Sequence, residues 1–274
     1  MESAIMTIFD QIMTFLNGDD LKNVLGMDLR SYIYDAYSLV ERLQQHVVGP
    51  LALSILAIFI LLEFQKISTK VEGAGGAPML GFEMIIKALI KFVICYIVIL
   101  RIQDILDGMV IIAGNLTTRI LTIGNASSVR DTADAVRQAV SQLSWWSQLV
   151  VLLVMCILFL ASLVVRVLVQ VTIYLRFLEM YIFCVMAPIP MSALPSQEFS
   201  VMSKGFFKNF AALGLQGTFI ALVLVIYPTI FHRIMEEVGS GIFGIILGLT
   251  VYMIALLLSV NKTKGWAKTL MSAS

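Results

Sequence analysis

Three groupings of polar residues in an otherwise apolar chain could do chemistry. Thr172, Arg176 and Glu179 fall within about 60° of arc if the chain is helical there. In apolar surroundings an arginine and a glutamate so placed would pair with each other or line a polar passage, because an unpaired charge at membrane depth costs several kcal/mol. Gln216 is a lone amide in an uncharged run, and it needs a partner: an interhelix hydrogen bond or the wall of a passage. His232 with Glu236 and Glu237 has the residue types of a metal or acid–base cluster, but it reads as a short polar cap at the edge of an apolar run. His46 is the one other histidine, so a site built on imidazole would lack partners.

Gly239 to Gly244 matches the dinucleotide-binding glycine pattern letter for letter, yet no strand precedes it and an apolar helix follows. Gly241, Gly244 and Gly248 read instead as a small-residue face that lets another helix approach closely, as do Gly214 and Gly217 beside Ala211, Thr218 and Ala221. Cys95, Cys156 and Cys184 lie far apart in apolar runs, without metal-ligand spacing, and are expected to be small buried hydrophobes. Glu83, Lys87 and Lys91 follow at intervals of four, which suits local pairing and snorkelling; a lipid phosphate or a substrate is the sharper alternative. None of these sets supplies a nucleophile, a base or a cofactor cradle, so neither an enzyme nor a cofactor is expected.

The elements that hold these residues follow from composition. Of 274 residues 59% are hydrophobic and 14% charged, with mean hydropathy +0.93. Soluble domains carry about 25% charge, so this chain cannot cover a globule with water-compatible surface and is an all-α, polytopic integral membrane protein. A net charge of +1 gives no broad electrostatic footprint for nucleic acid. At the N-terminus no basic region precedes an apolar run, and Ile5, Phe9, Ile12 and Leu16 instead form one face of an amphipathic helix. Crossing the hydrocarbon takes about 20 apolar residues, which gives spans at Val47–Phe64, Met84–Ile102, Trp145–Val165, Asn209–Phe231 and Gly239–Val260. Between the second and third, Ile105, Met109, Ile112, Leu116 and Ile120 share a face of a segment expected along or above the membrane, and Arg130, Asp131, Asp134 and Arg137 mark a solvated face. Trp145 and Trp146 sit where an interfacial anchor belongs.

The stretch from Arg166 to Leu194 holds Arg176 and Glu179 and ends in prolines at 188, 190 and 195, which remove backbone donors. A helix broken by Pro188, Pro190 and Pro195 must face protein or a cavity, where its freed carbonyls can be satisfied. If the stretch is re-entrant, the chain has five full spans and eleven of its 19 basic residues lie inside; six spans would put seven there. The positive-inside rule favours five spans plus a Pro-broken re-entrant helix, with six as the alternative. The resulting organisation is an outward pair of amphipathic helices (1–46), two transmembrane helices (47–102), an outward loop with amphipathic helices (103–144), a transmembrane core (145–260) and a basic inward tail (261–274).

Ala187-Pro188-Ile189-Pro190, a short linker with Lys204, Phe207-Lys208-Asn209-Phe210 and Ala212-Leu213-Gly214-Leu215-Gln216-Gly217 together resemble the TrbL-like polytopic inner-membrane subunits of bacterial conjugation and type IV secretion machines. The layout is similar too: an outward N-terminus, a long polar loop before a Trp-started span, and a basic inward tail, which is short where larger relatives carry a polar extension. The resemblance implies a multi-pass protein of the bacterial cytoplasmic membrane, a subunit of the translocation channel. It implies association with copies of itself, with other membrane subunits and with ATPases, and transient contact with DNA or protein substrate. The competing reading is a secondary transporter whose binding site is the broken helix.

Overall fold

The structure is a computed structural model that describes residues 2–17, 19–73, 78–124, 137, 140–141, 144–196, 198–238 and 242–272. Among them the chain is helical and free of strands. The helices are α1 (Glu2–Asn17), α2 (Asp19–Leu25), α3 (Leu29–Tyr32), α4 (Tyr34–Gly73), α5 (Pro78–Leu100), α6 (Ile102–Gly124), α7 (Trp145–Met186), α8 (Pro188–Ser192), α9 (Ser200–Val238) and α10 (Ile242–Leu270).

Local chemistry explains several boundaries. Asp28 caps α3 by accepting from the Ser31 amide at 2.8 Å. In α4 the turn Gln44–Val48 widens to a π-helix just ahead of Gly49-Pro50. Pro50 offers no amide and its ring would collide with a carbonyl four residues back; the wider turn, closed by the Gly49 amide on the Gln44 carbonyl, makes room. Between α5 and α6 the Arg101 amide donates to the Ile97 carbonyl at 3.0 Å and the Ile105 amide to the Arg101 carbonyl at 3.3 Å. Helical bonding therefore runs through Arg101, and the chain does not fold back there.

Five helices are long and apolar enough to cross a membrane: α4, α6, α7, α9 over Ser200–Phe231 and α10 over Phe243–Leu270. The number is the expected one, but the second position is not. Glu83, Lys87 and Lys91 leave α5, the more apolar of the two helices, only a short uncharged run, and the candidate span is the next helix, α6. Its surface is apolar twice over: Ile105, Ile112 and Leu116 point outward as the expected face, while Ile102, Leu106, Val110, Ala113 and Leu121 are buried on the other side. A helix apolar on both sides suits protein on one and lipid on the other. The helix runs on from Arg166 without interruption to Met186, and the break falls at Ala187, directly before Pro188, where the prolines placed it.

The chain forms two compact units. The first comprises 1–27, 112–176 and 215–267. Here Ile5, Phe9, Ile12 and Leu16 of α1 are buried as their spacing predicts; the Phe15 ring meets Phe159 of α7 at 5.6 Å, and the Arg166 guanidinium lies 4.8 Å over it. Helices α6 and α9 run parallel, since Thr117 meets Thr218 and, seven residues on in both, Gly124 meets Val225. Helix α10 runs antiparallel to α9: Trp266 packs on Phe219, Ser259 bonds Tyr227 at 2.8 Å, and Tyr252 packs on Phe231. Gly244 and Gly248 are buried in this unit; Gly241 lies outside the described residues.

The second unit comprises 28–111, 177–214 and 268–274. Helices α4, α5 and α8 pack on one another, with Ala88, Phe92, Cys95 and Ile99 as the buried seam of α5. Phe183 stacks on Phe206 of α9, and Tyr32 on Phe177 of α7.

Candidate functional site

In the first unit three consecutive residues of α9 gather polar partners at one level. Gln216 is 4% exposed and its Oε1 has no hydrogen-bond partner among the described residues. Gly217 faces Arg176 of α7, whose side chain is 2% exposed; a Cβ at Gly217 would run into the guanidinium. Thr218 Oγ1 lies 3.0 Å from Thr117 Oγ1 of α6, which in turn donates to the Ala113 carbonyl at 2.8 Å. Adjacent residues are separated by about 1.5 Å along a helix, so Arg176, Gln216, Thr117 and Thr218 form one buried polar layer across α6, α7 and α9. Sequence reasoning found Arg176 and Gln216 through their incongruity in apolar runs. It missed Thr117, and it took Thr218 only as a member of the small-residue stripe, because neither hydroxyl stands out until the two meet. At Gly217, expected to be a helix-packing residue, the side chain that comes close is the Arg176 guanidinium of α7. Glu179 belongs to the second unit, one turn farther along α7, and is partly exposed. Thr172 bonds its own helix, at the Leu168 carbonyl, 2.9 Å away.

In the second unit the proline break is held by donors from other elements. The Pro190 carbonyl accepts from Ser203 Oγ at 2.5 Å, and the Met191 carbonyl from the Cys95 thiol at 3.1 Å. Pro188 and Pro195 are buried. Protein therefore satisfies these carbonyls, one of the two solutions that hydrocarbon permits. Gly214 is buried here as well.

A second polar group in this unit was not foreseen. Tyr37 of α4 donates to Asp107 of α6 at 2.5 Å, Gln103 Nε2 donates to the other carboxylate oxygen at 3.3 Å, and the Arg30 guanidinium lies 5.7 Å over the Tyr37 ring. Tyr181 of α7 bonds the Leu29 carbonyl at 2.8 Å. These contacts dock α3 and the start of α4. The available signal was the pair Asp104 and Asp107 in an apolar helix, of which only Asp107 turns inward.

Other expectations resolve simply. Glu83 and Lys87 pair at 2.5 Å on an exposed face, and Lys66 pairs with Glu198 at 2.8 Å. Cys95 and Cys184 are buried, but Cys156 is exposed. That corrects the expectation of three buried thiols: a helix that can face lipid or a partner has an apolar outer side too. The side chains of His232, Glu236 and Glu237 lie outside those described. Among the described residues no cluster of histidine, cysteine, aspartate or glutamate could hold a metal ion.

Long apolar helices that keep their polar groups in internal layers define a helical membrane protein. Residues 19–188 match the family of TrbL/VirB6 plasmid conjugal transfer like proteins, more than half of the 274-residue chain, and the chain belongs to that family. The matched stretch ends at Pro188, two residues into the proline and glycine motif, so membership does not rest on the part of that motif that follows. No curated protein and no solved structure matches the chain.

Proposed function

We propose that this chain is a membrane subunit of a type IV secretion (conjugation) translocation channel, assisting the passage of DNA or protein across the bacterial cytoplasmic membrane. Membership of the conjugal-transfer family over residues 19–188 is the observation that carries the reading. The protein is non-enzymatic in this reading and needs no cofactor. It works with other membrane subunits and ATPases of the apparatus and with copies of itself, and touches substrate transiently. Arg176, Glu179 and Gln216 serve as a polar network that fixes the helices, and Gly214, Gly217, Gly241, Gly244 and Gly248 as sites of close packing.

A secondary transporter would offer the backbone carbonyls of its broken helix to cargo. Here Ser203 and Cys95 occupy two of them, at 2.5 and 3.1 Å, which favours a structural break. The test is deletion of the gene from a transfer-proficient host, with complementation, and formaldehyde capture of the transferred DNA on the tagged subunit. Transfer that depends on the subunit, together with captured substrate, supports the channel role; normal transfer without it rejects the reading.

A further inference from the structure

We infer that α7 is an interface helix, and that its outward side pairs in parallel with α7 of a second copy of this chain. The first observation is a periodic seam. Val150, Leu153, Ile157, Leu160, Val164 and Val167 follow at alternating intervals of three and four, each 56–65% exposed, and the spacing continues through Val171 and Tyr174. On the reverse side Val151, Met155, Leu158, Ser162, Val165 and Val169 keep the same alternation and are buried within the subunit. So α7 carries two heptad seams, one of which the chain itself covers. In the outer seam the first position of each heptad is β-branched, Val150, Ile157, Val164 and Val171, and the fourth begins as Leu153 and Leu160. That pairing of residue types favours two parallel strands.

The second observation is length. Helix α7 has 42 residues, about 62 Å, and its outer side is apolar from Trp145 to Met186, while the hydrocarbon is about 30 Å thick. Lipid can cover only about half of it. Arg176 fixes which halves compete, because it lies level with Gly217. From that level the middle of the apolar run Asn209–Phe231 is about 5 Å along α9, whereas the middle of Trp145–Val165 is about 31 Å along α7. The two runs therefore cannot share one bilayer depth, and whichever lies in lipid, a bilayer's thickness of exposed apolar α7 lies outside it.

The third observation is area. Eight seam side chains from each copy, each losing about 60–100 Å² of apolar surface, bury roughly 1,000–1,600 Å² in all, within reach of the size of stable interfaces. The proposal goes beyond the channel reading and does not depend on it.

Cysteine cross-linking in native membranes tests it. Cys95 and Cys184 are buried and stay; the exposed Cys156 becomes serine, and cysteine replaces Leu153, Ile157, Leu160, Val164 and Val167 one at a time, with Val154 and Leu168 as controls on the same helix. Mild oxidation should give a disulfide-linked dimer about tenfold more abundant at seam positions than at controls, rising and falling with the heptad. Equal yields along the helix, no dimer at any position, or cross-links only to a chain of different mass would overturn the pairing. Conjugal transfer is read in the same cells. Lost transfer with the periodic dimer intact counts against the channel reading alone, and normal transfer without the dimer counts against the pairing alone.

Discussion

Gly217→Ala adds one methyl group where the three nearest atoms all belong to the Arg176 guanidinium. The guanidinium is the far end of a flexible side chain, but at 2% exposure it has no solvent to swing into. Overpacking a filled interior costs about 1–3 kcal/mol, and driving a buried charge off its partners about 3–5 kcal/mol. Against this, alanine gains about 1 kcal/mol over glycine within a helix. Gly205, on the same helix, isolates that gain, because a Cβ there meets nothing within 4 Å. The two substitutions should thus differ by about 3–5 kcal/mol, with Gly205→Ala neutral or stabilising. In detergent at fixed protein and lipid concentration this corresponds to a difference in midpoint of roughly 5–15 °C. Combined with Arg176→Ala, the Gly217→Ala change should add almost nothing, since the group it collides with is gone. Equal midpoints for Gly217→Ala and Gly205→Ala, or strictly additive losses in the double variant, would refute the account of this layer.

Three further outcomes follow from the same reasoning. Arg176→Ala and Glu179→Ala should each lower membrane accumulation or transfer, by about 3–5 kcal/mol of stability if the two form one network, and the double variant should be milder than the sum; additive losses would show that the residues act independently. Cysteine at Asp131 should react with an impermeant reagent from the outer face and cysteine at Lys264 should not, because eleven of 19 basic residues lie inside under five spans; labelling at Lys264 would restore six. Gly248→Leu should exclude the helix that packs over that buried position and reduce recovery of the assembled complex in mild detergent, whereas an unchanged assembly profile with normal transfer would remove this face from any interface.

Periodicity made much of this architecture legible, and its limits are physical. The face of α1 could be read because polar residues flank it, so period and burial coincide at Ile5, Phe9, Ile12 and Leu16. In α6 apolar residues lie on two sides, and period alone cannot say which side meets protein; the buried side proved to be that of Ile102, Leu106 and Val110. Cys156 was misjudged for the same reason, since apolar surroundings in sequence do not mean burial when the outer surface is apolar. Arg176 and Gln216 stood out by their cost in hydrocarbon, but the Thr117–Thr218 bond joins residues 101 apart, and no local pattern announces it. The expected break stands at the proline run, where α7 ends at Met186 and α8 begins at Pro188, while Arg166, Arg176 and Glu179 leave the helix uninterrupted. A helix tolerates such residues when its long side chains pair or turn inward, whereas proline interrupts the bonding itself.

The state of the polar layer bears on how a subunit like this could serve translocation. A conduit for a polyanion needs solvated, basic or neutral polar lining along its length. In the first unit Thr117, Arg176, Gln216 and Thr218 are at most 5% exposed and lie at a single level, and a further polar pair across helices, Tyr227 with Ser259, is closed by its own hydrogen bond. Toward the C-terminal end of α9 the neighbouring residues Ile220, Leu224, Phe231, Leu249 and Tyr252 are all buried. A layer sealed in this way orders helices; it does not wet a path. That layer therefore offers no open path within the first unit, and the outer side of α7 is a surface with both the length and the period to set how copies pair.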